Sequence, residues 1–163
     1  MNKARQVHEF GPEYGPDSEI LILGSFPSVK SREVQFYYGH PKNRFWKVLA
    51  AVYQDEEPLF VPEKKAFLRK HHIALWDVIE SCDIAGSSDS SICNVKVNDI
   101  GKILTEAKIR AVYANGKKAE SFYQKYVEPA TGRPITGLPS TSPANAAFSM
   151  ERLLLHWKQI RLR

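Results

Sequence analysis

The stretch EILILG, from Glu19 to Gly24, decides the fold of this chain. Its unbroken run of apolar residues is typical of a strand that is buried on both faces of a parallel sheet. Two later segments repeat this pattern, HIALWDVI over residues 72–79 and IRAVYANG over residues 109–116. A shorter segment, RPITGLPS over residues 133–140, predicts a fourth strand.

Helical patterns separate the predicted strands. Asn43 is a candidate N-cap for a helix that continues to Tyr53 and carries its apolar residues on one stripe. The other predicted helices cover residues 63–71, 98–108, 117–126 and 144–162, and a long polar loop is predicted for residues 80–91. This alternation predicts an α/β fold with a three-layer open sheet of about four mainly parallel strands and helices on both faces.

The composition indicates one globular domain with an excess of positive charge. The chain has 163 residues, so we expect a single domain over residues 1–163, with residues 1–18 as a less ordered N-terminal segment. Lys and Arg outnumber Asp and Glu by 23 to 18, which gives a formal net charge of +5. This excess favours a polyanionic partner such as nucleic acid.

Other features argue against several classes of protein. The cysteines, Cys82 and Cys93, form no CxxC pair and no cluster with histidine, so we expect neither a metal nor another cofactor. No apolar run is long enough for a membrane span, and the N-terminus lacks a signal-peptide core. The expected location is the cytoplasm, where cysteines stay reduced. The first loop also lacks the glycine-rich fingerprints of nucleotide-binding domains.

Two loops at the carboxyl edge of the predicted sheet combine serine with proline. GSFPS, residues 24–28, follows the first strand, and LPSTSPAN, residues 138–145, follows the last. Ligands of open parallel sheets bind at this edge, and hydroxyls and backbone amides suit phosphate oxygens. Pro143 is also placed to begin the final helix, with the positive helix end beside an anion. Ordinary turns with helix caps are the alternative, and the spacing alone leaves both interpretations open.

These loops and two further blocks resemble the uracil-DNA glycosylase superfamily. The segment HPKNRFWKV, residues 40–48, is similar to the mismatch-specific uracil/thymine glycosylase branch. The combination of GSFPSVKSREVQFYYGHPKN, LWDVIESCDIAGSSDSSI and LPSTSPAN most resembles the hypoxanthine-DNA glycosylase branch. The resemblance extends from about Ile20 to the end of the final helix, nearly the whole chain.

The resemblance implies a monofunctional DNA glycosylase of base excision repair. Such an enzyme flips a deaminated base out of the duplex and hydrolyses its N-glycosidic bond, and the branch implies hypoxanthine as the base. The implied partner is double-stranded DNA with deaminated bases, and the superfamily implies a monomer. A uracil- or mismatch-specific enzyme on the same fold and a non-catalytic nucleic-acid-binding protein are the alternatives.

The resemblance also implies a catalytic residue. Most relatives have Asp or Asn two residues after the first-loop glycine, where it positions the attacking water, but this chain has Phe26 there. The last loop of relatives usually opens with His or Asn, and here it opens with Leu138. The hypoxanthine branch uses an asparagine further along the first loop, and Asn43 is the matching position. Its alternative role is the helix N-cap.

The remaining candidates are assigned to the base and to the DNA backbone. For the base, we expect an aromatic platform and a polar contact to the base edge, from Phe26, Tyr37, Tyr38 and Asp77. For the phosphates, we expect hydroxyls and one cation, from Ser25, Ser28, Ser140, Ser142 and Lys42. Core packing is the alternative for the aromatic residues, and a hydrogen-bonded strand end is the alternative for Asp77.

Overall fold

The computed structural model describes residues 3–8 and 10–161. In chain order, the strands are β1 (Ala4–Val7), β2 (Ile20–Gly24), β3 (Ile73–Asp77), β4 (Ile79–Ile84), β5 (Cys93–Val97), β6 (Ala111–Asn115) and β7 (Thr136–Leu138). The helices are α1 (Val29–Val34), α2 (Phe45–Tyr53), α3 (Val61–Lys70), α4 (Ile100–Glu106), α5 (Lys117–Tyr126), α6 (Glu128–Thr131) and α7 (Met150–Trp157). Four of these strands form one central parallel sheet, and the other three form a second sheet.

The central sheet has the order β3-β2-β6-β7, and all of its neighbouring strands are parallel. Strand β2 lies inside this sheet, and every residue in it is buried. Its side chains alternate between two cores, because successive residues of a strand point to opposite faces. Ile22 packs in the core that contains residues of α2 and α7, whereas Leu21 and Leu23 pack against α4 and α5. The predicted three-layer α/β fold is therefore confirmed.

A second sheet has the antiparallel order β1-β4-β5, and its strand β4 begins two residues after β3 of the central sheet ends. The predicted loop over residues 80–91 is therefore wrong for residues 80–84, which belong to β4. The sequence of β4 mixes polar with apolar residues, so it did not indicate a strand. Glu80 and Asp83 are half-buried, whereas the apolar residues are buried: Ile79, Cys82 and Ile84. No strand was predicted in the N-terminal segment either, yet β1 pairs with β4 there.

The final helix begins later than its sequence pattern predicts. Pro143 opens only a short 3-10 turn over Pro143–Asn145, and helix α7 starts at Met150. Ser149 is its N-cap and accepts a hydrogen bond from the amide of Arg152. The prediction that Pro143 places a positive helix end beside an anion is therefore wrong. Within the described ranges, no helix combines the length and apolar character that a membrane crossing needs.

Candidate active site

A cavity of about 290 Å³ lies at the carboxyl ends of the central strands. Six segments that the sheet topology brings to this edge form most of its wall: residues 24–28, residues 37–43, Asp77 of β3, residues 87–89 after β4, Asn115 of β6 and residues 140–144 after β7. The two serine- and proline-bearing loops therefore meet in space, as the sequence predicts.

Asn43 lines this cavity and also supports the start of α2. Its carboxamide oxygen Oδ1 accepts a hydrogen bond from the amide of Phe45, the first residue of α2, at 3.0 Å. The same oxygen accepts a hydrogen bond from the hydroxyl of Thr141 at 2.8 Å. The N-cap of α2 is Arg44, so the N-cap predicted at Asn43 is one residue too early, although the Asn43 side chain still accepts from the first amide of the helix. The described hydrogen bonds engage Oδ1 and leave the Nδ2 amide to the cavity.

Thr141 and Asn115 fix the orientation of that carboxamide. The hydroxyl of Thr141 accepts a hydrogen bond from Nδ2 of Asn115 at 2.9 Å, and its backbone amide donates to Oδ1 of Asn115 at 3.0 Å. Thr141 is fully buried, and all three residues line the cavity. Thr141 and Asn115 were not among the predicted site residues. The available signal was their position, since one ends a predicted strand and the other lies between two candidate serines.

The aromatic candidates surround the cavity, but each also packs in the protein. Tyr37 is buried, and its hydroxyl donates to the carbonyl of Gly11 at 2.7 Å. Tyr38 stacks on Phe45 with ring centroids 3.9 Å apart. Burial raises the pKa of both phenols well above the ordinary value, so both stay neutral hydrogen-bond donors. Phe26 is buried in a separate apolar cluster with Ile79 and also lines the cavity.

Asp77 lines the cavity, and its side chain and backbone are also bonded inside the protein. Its carboxylate is buried and lies 2.8 Å from Nε2 of His8, whose side chain is only 2% exposed. Nδ2 of Asn98 donates to the backbone carbonyl of Asp77 at 2.8 Å. The absence of a side chain at Gly24 makes room for this carboxylate, because a Cβ there would overlap with Oδ1 of Asp77. His8 was not anticipated, since it precedes every predicted element.

The serines of the first loop use their hydroxyls inside the protein. Ser25 is buried, and its hydroxyl donates to Oδ1 of Asp89 at 2.7 Å. Ser28 is the N-cap of α1: its oxygen accepts from the amide of Ser31 at 3.1 Å, and its hydroxyl donates to the hydroxyl oxygen of Ser31 at 3.1 Å. Both residues line the cavity, although these bonds occupy their protons.

The serines of the last loop differ, because they act as acceptors. Oγ of Ser140 accepts from the amide of Ser142 at 3.1 Å, and Oγ of Ser142 accepts from the amide of Ala144 at 3.1 Å. Each turn is thereby fixed while the hydroxyl proton stays available for a ligand oxygen. Lys42 is exposed and does not contribute to the cavity wall.

Comparison with known proteins gives concordant results. A family model described as the uracil DNA glycosylase superfamily matches residues 12–161. A hypoxanthine DNA glycosylase of Methanosarcina acetivorans is 36% identical over 138 residues, which cover 83% of this chain and 86% of that protein. A hypoxanthine DNA glycosylase of Methanosarcina barkeri is 32% identical over 115 residues, which cover 69% of this chain and 73% of that protein.

The structural comparison agrees with these matches. A solution NMR structure of a Methanosarcina acetivorans protein, described as a candidate uracil DNA glycosylase, superposes with a TM-score of 0.80 and 33% sequence identity. The similarity covers 93% of this chain and 93% of that one. Sequence and structure therefore point to the same superfamily.

Proposed function

Because the chain belongs to the uracil DNA glycosylase superfamily, we propose that it is a DNA glycosylase that removes hypoxanthine from deoxyinosine in double-stranded DNA. The observation that carries this proposal is the meeting of both serine- and proline-bearing loops around Asn43 in one cavity. The names of the two Methanosarcina relatives support hypoxanthine as the base. Excision leaves an abasic site and an uncut strand, because no lysine lines the described cavity to form a Schiff base.

The reaction begins when the damaged nucleotide leaves the base stack. Deaminated bases in mismatched pairs cost the least free energy to extrude. The free hydroxyl protons of Ser140 and Ser142 bind the backbone phosphates, and Lys42 adds positive charge outside the cavity. Ser25 and Ser28 contribute to this contact through the position of the first loop, since their own hydroxyls are engaged.

Cleavage of the N-glycosidic bond places positive charge on the sugar and negative charge on the departing base. Nδ2 of Asn43 donates a hydrogen bond to a water and holds its oxygen toward the anomeric carbon. The amide does not take up a proton: the water attacks after the C1′–N bond has largely broken, forms the C1′–OH bond, and its released proton neutralises the departing base anion through solvent. The neutral phenols of Tyr37 and Tyr38 and the ring of Phe26 enclose the base on its other sides.

The domain organisation, oligomeric state, location and metal content of the protein are part of the same proposal. We propose a single domain that acts as a monomer, in the cytoplasm, without a metal. Members of the superfamily typically act as monomers, which supports the monomeric state. Both cysteines, Cys82 and Cys93, are free thiols, which is consistent with a reducing compartment.

One assay tests the function. The protein is incubated with duplexes that contain deoxyinosine, deoxyuridine or a thymine mismatch, and alkali then reveals abasic sites. Cleavage that is strongest at deoxyinosine supports the proposal. Preference for deoxyuridine or for the thymine mismatch would indicate the uracil or mismatch alternative, and DNA binding without any abasic product would indicate a non-catalytic protein.

Two substitutions at Asn43 separate catalysis from helix capping. Asn43→Ala removes both roles and should lower stability by about 1 kcal/mol in addition to abolishing turnover. Asn43→Ser keeps a capping oxygen but has no amide to hold the water, so it should recover stability and stay inactive. Turnover by the serine variant at the wild-type rate would refute the catalytic role.

A further inference from the structure

The turn after β4 is built to hold its backbone in one conformation. Oγ of Ser91 accepts a hydrogen bond from the amide of Ala85 at 2.8 Å and donates to the carbonyl of Ser88 at 2.7 Å. These bonds close a short 3-10 turn over Asp89–Ser91. The serines of this polar segment therefore have a structural role. They hold the turn that carries the side chain of Asp89.

Two hydrogen bonds attach the same turn to the wall of the cavity. The amide of Val29, at the start of α1, donates to Oγ of Ser87 at 2.8 Å. Nη2 of Arg32 donates to the carbonyl of Gly86 at 2.7 Å. Since α1 directly follows the first serine- and proline-bearing loop, the turn has a fixed position beside it.

Asp89 offers a carboxylate oxygen to the cavity. Its Oδ1 accepts the hydrogen bond from Ser25, and no described hydrogen bond uses Oδ2. The other acid of the cavity wall, Asp77, is paired with His8. Partial removal from water raises the pKa of Asp89; the bond from Ser25 opposes this rise, Asp77 adds to it, and Lys118 opposes it.

The sheet order separates this carboxylate from the water-holding amide. Asn43 is bonded to Thr141 in the loop after β7, and Asp89 is bonded to Ser25 at the end of β2. Thr141 is also bonded to Asn115 at the end of β6, the strand next to β2, so the two groups are anchored at neighbouring strand ends. Both line the same cavity, and a nucleotide whose sugar lies at Asn43 brings its base within reach of Asp89.

We propose that Asp89 determines base specificity by accepting a hydrogen bond from N1–H of hypoxanthine, an inference that rests on the proposed function. Deamination of adenine replaces the C6 amino group with a carbonyl and places a proton on N1. Hypoxanthine thus presents a donor where adenine presents a lone pair. The carboxylate attracts the N1–H donor of hypoxanthine and repels the N1 lone pair of adenine. The turn therefore discriminates the damaged from the normal purine at N1, where the two bases differ.

The test measures single-turnover excision by the full chain from duplexes with deoxyinosine or deoxynebularine. Deoxynebularine is a purine nucleoside without a C6 substituent, and its N1 carries a lone pair. Asp89→Ala should slow excision of hypoxanthine about 10- to 100-fold, the range expected for a hydrogen bond to a charged group. Excision of the unsubstituted purine should change less than about threefold. Ser90→Ala, in the same turn, is the matched control and should leave both rates unchanged.

Asp89→Asn is a second variant with an effect of opposite sign. Its oxygen can still accept from Ser25, and its amide then donates to the N1 lone pair, so the preference should shift toward deoxynebularine. Equal loss on both substrates in the variants, or no change on either, would overturn the role of Asp89 and leave the proposed function intact. Absence of deoxyinosine cleavage by the unmodified protein would instead refute the proposed function, and this inference with it.

Discussion

Replacement of Thr141 by valine tests whether catalysis depends on the orientation of the Asn43 carboxamide. Valine has nearly the same shape as threonine but lacks the hydroxyl. That hydroxyl donates to Oδ1 of Asn43 at 2.8 Å and accepts from Nδ2 of Asn115 at 2.9 Å. The substitution therefore removes two hydrogen bonds at a fully buried position without opening a cavity.

The expected cost follows from these contacts. Two hydrogen bonds are lost, and each contributes about 0.5–1.5 kcal/mol, so the expected cost is about 1–3 kcal/mol. For a protein of this size, we expect the melting temperature to fall by about 2–12 °C. The Asn43 carboxamide keeps only the Phe45 amide as a partner and loses about 1 kcal/mol of positional preference. The excision rate should then fall about 5- to 10-fold.

The assay is single-turnover excision of hypoxanthine at saturating protein, combined with DNA binding measured by fluorescence anisotropy. We expect the rate to fall and the affinity to stay within about twofold, because Thr141 presents no side-chain atom to the phosphates. Thr141→Ser keeps the hydroxyl and should retain most of the rate. Thr105→Val removes a comparable hydrogen bond to Gly101 at an exposed position of α4 and should change neither quantity.

Two results would refute this reasoning. If the folded valine variant excises hypoxanthine at the wild-type rate, the orientation of Asn43 does not depend on Thr141. If the serine variant is as slow as the valine variant, the lost methyl group is responsible rather than the hydroxyl.

Three other substitutions or conditions give distinct outcomes. Gly24→Ala should destabilise the protein by about 1–3 kcal/mol in urea unfolding, because its Cβ overlaps with Asp77, whereas Gly11→Ala, with no atom within 4 Å of the new Cβ, should be neutral. His8→Ala leaves the carboxylate of Asp77 buried without its partner and should cost about 3–5 kcal/mol in the same assay; a loss below 1 kcal/mol would contradict this account. Excision of hypoxanthine should decline as the pH falls through the raised pKa of Asp89, because the ionised carboxylate is a stronger acceptor for N1–H than the neutral acid, and Asp89→Ala should remove this decline.

Three strands of the central sheet, β2, β3 and β6, were predictable because they are largely buried on both faces and their sequences are correspondingly simple. Strand β2 is apolar throughout and confirms its prediction over Ile20–Gly24. Strand β4 lies in a half-exposed antiparallel sheet, so its sequence mixes buried Ile79 with partly exposed Glu80. Its pairing with β1 also joins segments that are far apart in the chain, and no local pattern reports such pairing.

The candidate site was predictable only in part for the same reason. Resemblance to a family identified Asn43, and the structure places it in the cavity. Its partner Thr141 lies 98 positions away, and the bond between Ser25 and Asp89 spans 64 positions. Such contacts arise from the topology of the sheet, because strands that are distant in sequence end at one edge. The roles of these residues in catalysis and specificity stay predictions until they are tested.

The side chain of Arg44 makes one half of the site rigid before DNA arrives. Its guanidinium donates to the backbone carbonyls of Phe148 and Asn145, and its amide donates to the carbonyl of Thr141. The segment that carries Asn43 and the last loop are therefore preorganised as one body. Because this half is already ordered, binding of an extruded nucleotide loses little conformational entropy there.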